Sequence, residues 1–128
     1  TLDISVQSQI VNLLLKLQKD LGLSYILITY NLPVIRHMSD QLMVICKGQM
    51  VEYGPTLDIL DNPKHPYTKD ILNKKSKNLN SVNKKDVALD GCVYCDRCGQ
   101  VSENCYKQKP LKQLINRQLV YCHNADEN

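Results

Sequence analysis

The sequence predicts an α/β chain that ends in a small cysteine-rich extension, and three observations carry that prediction. Apolar residues recur at helical spacing over residues 6–21. Two short apolar runs without alternation follow, at 25–28 and 42–46. Five of the six cysteines fall after residue 90. Amphipathic helices alternating with short buried-type strands indicate an α/β sheet, and clustered thiols indicate a separate chemistry at the C-terminal end.

The first helix is read from Val6, Ile10, Leu13, Leu14, Leu17 and Leu21, which share one face expected to point inward. Ser5 is its expected N-cap and Gly22 its stop. Tyr25-Ile26-Leu27-Ile28 reads as a strand buried on both faces, a pattern typical of parallel sheets. Asn31 is placed to cap a second helix, with Pro33 in its first turn and Val34, Ile35 and Met38 facing inward. The run 42–46 is a further strand. Lys47-Gly48 turns it into Gln49-Met50-Val51-Glu52-Tyr53, a hairpin. Thr56 is the expected N-cap of a short helix anchored by Ile59 and Leu60, and residues 66–72 form another. These strands are too few to complete a sheet, so the fold is expected to extend upstream of Thr1.

Composition narrows the function classes. The chain has 128 residues, 43% hydrophobic and 23% charged, which suits one small domain or part of a larger one. A net charge of +3, from 16 basic and 13 acidic residues, lacks the steep clustered excess of a nucleic-acid domain. Residues 74–90 are polar and basic without interleaved aromatics and read as a solvated linker. Collagen-like, fully disordered and membrane-spanning chains are excluded, and no targeting segment is visible. The expected compartment is therefore the cytoplasm, where thiols stay reduced.

Several of these segments, in order and at the right spacing, resemble the ATPase subunits of ABC transporters. Leu2-Asp3-Ile4-Ser5-Val6-Gln7 is similar to the D-loop and the helix after it. Thr29-Tyr30-Asn31-Leu32 falls at the H-loop, and Val34-Ile35-Arg36-His37-Met38-Ser39-Asp40 resembles the helix that follows. Lys47 to Gly54 resembles the terminal hairpin. Asn62-Pro63-Lys64-His65-Pro66-Tyr67-Thr68 narrows the resemblance to the oligopeptide/dipeptide/nickel importer subfamily. The resemblance implies the C-terminal portion of a P-loop ABC-ATPase nucleotide-binding domain over residues 1–73, a linker over 74–90 and the subfamily's cysteine-rich extension over 91–128.

Its functional implications follow residue by residue. Asp3 matches the D-loop aspartate, and Asp3, Tyr30 and Asn31 are the candidate nucleotide-site residues. The family has His where this chain has Tyr30. An imidazole accepts, donates and titrates near neutrality, whereas a phenol with a pKa of about 10 is mainly a neutral donor. Phosphoryl transfer also needs a phosphate cradle, and no Gly-x-x-x-x-Gly-Lys-Ser/Thr loop occurs in the chain. The chain alone is therefore not expected to hydrolyse ATP. The parent would use ATP and Mg²⁺ at the cytoplasmic face of the membrane, with a second ATPase subunit and transmembrane permease subunits, and without nucleic acid. The substrate would be a peptide or nickel.

The thiols Cys92, Cys95, Cys98, Cys105 and Cys122 form a dense metal-type cluster. Spacing alone leaves zinc and iron–sulfur open. The resemblance favours a [4Fe–4S] cluster on Cys92, Cys98, Cys105 and Cys122, with Cys95 an extra thiol or an alternate ligand and Zn²⁺ the other candidate. His123 is a spare ligand. His37 reads as a surface or packing residue, His65 as a docking residue and Cys46 as core. A stand-alone metal-binding interaction module is the alternative to the importer reading, and a zinc-ribbon-like nucleic-acid binder is a third.

Overall fold

A computed structural model describes residues 3–73 and 91–125, apart from the side chain of Ile4. The linker expected at 74–90 lies outside the described residues. The chain divides into two compact units, residues 1–40 and 41–128.

In the first unit, α1 spans Ile4–Leu21 and α2 spans Leu32–Met38. Asp3 caps α1, two residues earlier than the expected Ser5: its Oδ1 accepts the Ser5 N–H at 2.9 Å. A carboxylate there also meets the positive end of the helix dipole. Gly22 ends α1 in the left-handed region, at φ 64°, where a Cβ would be strained. Asn31 caps α2 as expected, its side chain accepting the Val34 N–H at 3.4 Å.

Two expectations fail in this unit. The run 25–28 forms no strand, and Ile26 and Ile28 are 96% and 94% exposed. A strand exists only through its ladder partners, and none pairs with this run among the described residues. The apolar stripe of α1 also stays largely uncovered: Val6, Ile10, Leu13, Leu17 and Leu21 are exposed, while Val11 and Ile35 are buried. A two-turn helix such as α2 is too short to cover an 18-residue stripe.

The second unit is built on a four-stranded antiparallel sheet. Its strands are β1 (Gln41–Cys46), β2 (Gln49–Pro55), β3 (Lys112–Ile115) and β4 (Gln118–Tyr121), in the order β1-β2-β4-β3. Around it lie α3 (Thr56–Asp61), α4 (Pro66–Leu72) and α5 (Glu103–Lys107). The β1–β2 turn is the one the sequence indicates, with Lys47 at φ 46° and Gly48 at φ 78°. Two successive positive φ values match the right-handed twist of a hairpin. The parallel pairing expected from the apolar runs is not found, since every pairing among the described residues is antiparallel.

The cysteine-rich segment supplies half of this sheet. Glu52 pairs with Val120 and Tyr53 with Leu119. Gly54 is needed at that junction, because a Cβ would sit 2.9 Å from the Arg117 carbonyl oxygen. Thr56 is not the cap of α3. Pro55 holds that position without a side-chain bond, and Thr56 is buried in the first turn.

The register shift between Val44 and Ile45 leaves Val51 without a direct partner on β1 and turns it into the core. That core gathers Cys46, Val51, Cys92, Tyr94, Cys95 and Cys105, with Val44, Tyr67, Cys98 and Tyr106 against it. Cys46 is core, as the sequence suggests. A smaller cluster holds Ile115, Val120 and Cys122.

Candidate functional site

The residues matched to a nucleotide site lie in the first unit. Asp3 and Asn31 both serve as helix caps there. Asn31 Nδ2 also donates to Gln7 Oε1 at 3.2 Å, and its N–H donates to Thr29 Oγ1 at 3.1 Å, so the loop before α2 is fastened to α1. Between these bonds Tyr30 projects away, 97% exposed. Tyr30 and Asn31 thus divide the work, one presenting a phenol to its surroundings and the other holding the backbone that presents it.

In the second unit, the Asn-Pro-Lys-His-Pro-Tyr-Thr segment docks on a residue that sequence reasoning missed. Glu52 is completely buried on β2. Its Oε1 accepts the Lys64 N–H at 2.7 Å and its Oε2 accepts the His65 N–H at 3.2 Å. Burial raises its carboxyl pKa, against the lowering effect of these amides. A charged residue inside an otherwise apolar strand was the available signal, because a buried carboxylate must find donors.

His65 has the docking role expected of it. Its Nδ1 accepts the Tyr67 N–H at 3.0 Å and caps α4. That bond fixes the neutral tautomer with its proton on Nε2. Nε2 faces the Tyr121 backbone without reaching hydrogen-bond geometry. Burial first, and the Lys69 charge with it, push the imidazole down to about 4, against a raising contribution from that backbone. His37, in contrast, is exposed.

Tyr94 joins this segment to the cysteines. Its ring packs edge-on to Tyr67 with centroids 5.1 Å apart and tilts against His65 at 6.1 Å. Its hydroxyl donates to Asp70 Oδ2 on α4. On the other side, Lys47 Nζ in the hairpin turn meets Asp96 Oδ2 at 2.9 Å.

The five clustered thiols are all free, and four are buried while Cys98 is half-buried. Turns set their spacing: Cys95 N–H donates to the Cys92 carbonyl at 3.1 Å, and Cys92 N–H to the Cys105 carbonyl at 2.8 Å. Gly91 allows that approach, since a Cβ there would lie 3.0 Å from the carbonyl oxygens of Cys105 and Tyr106. Burial raises the thiol pKa of Cys92, Cys95 and Cys122, and pushes Cys98 up to about 11.

Charge on nearby thiols adds to that effect. Cys98 feels Cys122, Cys105 and Cys92. Cys122 feels Cys92 and Cys105, and Cys92 feels Cys105. Within the set, Cys95 feels Cys92 and Cys105. Two of the sulfurs also make hydrogen bonds: Asn124 N–H donates to Cys122 Sγ at 3.4 Å, and Ser102 Oγ and Cys105 Sγ lie 3.4 Å apart, either able to donate. His123 turns away, its Nε2 being 3.0 Å from the Gln108 carbonyl oxygen.

No group of three or more His, Cys, Asp or Glu side chains that could hold a metal ion occurs among the described residues.

The hairpin thus receives a Pro-flanked His-Pro-Tyr segment and packs on a buried thiol cluster. Residues 51–105 match the family described as oligopeptide/dipeptide transporter, C-terminal region. The dipeptide transport ATP-binding protein DppF of Haemophilus influenzae is 34% identical over 137 residues, covering 98% of this chain and 42% of its own length. The oligopeptide transport ATP-binding protein OppF of the same organism is 38% identical over 135 residues, 94% of this chain and 41% of its own. DppF of Escherichia coli is 34% identical over 139 residues, 99% of this chain and 41% of its own. The chain thus spans about two fifths of the length of the curated relatives it matches.

Proposed function

We propose that this chain acts as part of the ATP-binding subunit of an ABC importer, in which ATP binding and hydrolysis drive uptake of peptides. The observation that carries this reading is the alignment of nearly the whole chain with dipeptide and oligopeptide transport ATP-binding proteins. Nickel is the other substrate the subfamily resemblance suggests. The relatives' printed names, which are all of peptide transport proteins, favour peptides. ATP and Mg²⁺ would be bound by the assembled subunit, with Asp3, Tyr30 and Asn31 contributing from this chain. Its partners would be a second ATPase subunit and the transmembrane permease subunits, at the cytoplasmic face of the membrane. No helix among the described residues is long and apolar enough to cross a membrane, which suits a peripheral subunit.

A chimera tests this. The chain replaces the matching part of E. coli DppF, with and without Tyr30→His. Expected are ATP-dependent dipeptide uptake by the Tyr30→His chimera and slower uptake with Tyr30, which lacks the imidazole's second ring nitrogen as an acceptor. Absence of uptake from both, with the chimera folded and ATP bound, counts against the proposal.

The second part of the proposal concerns the thiols. Cys92, Cys98, Cys105 and Cys122 would hold a [4Fe–4S] cluster, and Cys95 would remain a core thiol. The resemblance to the subfamily's cysteine-rich extension is what supports the assignment. Bound there, the cluster would cross-link the Cys92–Cys105 segment to the end of β4 and could exchange one electron.

A further inference from the structure

We propose that the cavity at the fork between β2 and β4 is a binding site for a small carboxylate with an apolar body. The fork has a local cause. β2 and β4 pair only at Glu52–Val120 and Tyr53–Leu119. The next positions in that register, Val51 and Tyr121, do not pair. Val51 is turned into the core beside the register shift on β1. On the far side Pro110 stands two residues before β3, and it has no N–H with which to extend that strand. The space between these residues is a cavity of about 380 Å³. A water's share of the liquid is about 30 Å³, so the cavity suits a molecule of several heavy atoms, at the small end of ligand sites.

The walls choose the chemistry. Met50, Val51, Val93, Pro110 and the ring of Tyr121 supply an apolar lining. Burying an apolar body there is favourable in proportion to the area removed from water. Lys109 and Gln49 add polar side chains, and no carboxylate lines the cavity among the described residues. Lys109 is exposed and forms no ion pair among the described residues. Lys112 stands directly opposite Tyr121, which puts a second cation on the same face of the sheet. An ammonium and an amide N–H can each donate to a carboxylate oxygen. An apolar pocket with an unpaired cation in its wall therefore favours an anion over a neutral or cationic ligand of the same shape. A ligand seated there touches β2, β4 and the segment before β3 together, and so fastens the two halves of the sheet where their own ladder stops.

The test titrates the full 128-residue chain, isotope-labelled and at neutral pH, with phenylbutanoate and follows the amide resonances. Saturable shifts are expected at Val51, Val93 and Tyr121. Phenylbutanol and phenylbutylamine carry the same body without the negative charge and should bind more weakly. Lys109→Glu changes an exposed position, so the fold should be kept, and phenylbutanoate should bind about three- to tenfold more weakly. Lys107→Glu is the control. It makes the same change in net charge two residues away, at a lysine paired with Glu103 and outside the lining, and should leave the affinity at the wild-type value. Absence of saturable binding, shifts confined to other residues, equal affinity for the acid and the amine, or equal affinities in the two lysine variants overturns the proposal.

Discussion

The carboxylate of Glu52 accepts the backbone N–H of His65 at 3.2 Å, in a site where both side chains are almost wholly buried. The same carboxylate accepts the Lys64 N–H. One acidic side chain on β2 therefore fastens the segment that distinguishes this family to the hairpin. Replacing it with an apolar residue leaves two buried amides without acceptors, each costing about 1–3 kcal/mol. We expect Glu52→Leu to destabilise the chain by about 2–4 kcal/mol, and Glu52→Gln, which keeps one acceptor oxygen, by less. Urea denaturation of the three proteins at pH 7 checks the order.

His65 gives the fold a pH dependence of known sign. Its imidazole is depressed from 6.5 to about 4 in the folded state. The unfolded chain therefore binds more protons between those values, and stability falls as pH drops from about 6.5 to about 4. Protonating Nδ1 also breaks the cap on the Tyr67 N–H. A shift of that size corresponds to about 3 kcal/mol at most. Glu52 works in the opposite direction. Its raised carboxyl pKa means that the folded state holds the proton longer, so its contribution declines as pH rises above 4.5. His65→Asn keeps a cap acceptor and removes the titration. The stability difference between wild type and His65→Asn should change across pH 4–6.5 and stay flat above it. Thermal unfolding at half-unit pH steps measures this.

Tyr94 links α4 to the cysteine segment through its hydroxyl and its ring separately. Tyr94→Phe loses the bond to Asp70 but keeps the edge-on contact with Tyr67. The expected cost is about 1 kcal/mol. Tyr94→Ala also removes the buried ring, and the expected cost rises to about 3–5 kcal/mol. Limited proteolysis should accordingly cut the alanine variant faster than the phenylalanine variant.

Gly54 is where the hairpin meets β4. Gly54→Ala places a Cβ 2.9 Å from the Arg117 carbonyl oxygen and 3.1 Å from Gln118 Cα. Both contacts are backbone and cannot swing aside, so the strands must separate. Overpacking of this kind costs about 1–3 kcal/mol. Faster amide exchange at Val120, relative to β1, is the local signature to look for.

Local chemistry in the sequence identified much of this fold. Lys47-Gly48, Gly22, Asn31 and Pro66 each impose a backbone geometry within a few residues, and each does so in the structure. What stayed hidden is non-local. Residues 112–115 and 118–121 are short strands whose apolar pattern is weak; the second lies beside β2 through pairing across more than sixty positions, and the first joins the sheet only through it. Residues 25–28 show the converse. Their composition suits a strand, but composition cannot supply a ladder partner. The candidate ligands were legible as cysteines, whereas Glu52 was not, because its importance lies in which donors the fold brings to it.

The cysteine assignment is tested most directly by counting iron and acid-labile sulfide after anaerobic reconstitution of the wild-type chain, Cys98→Ser and Cys95→Ser. We expect about four of each per wild-type chain, as a [4Fe–4S] cluster requires. Cys95→Ser should bind a similar amount, and Cys98→Ser should lose most of it. No iron on the wild-type chain, or equal losses from both variants, contradicts the four-thiol set.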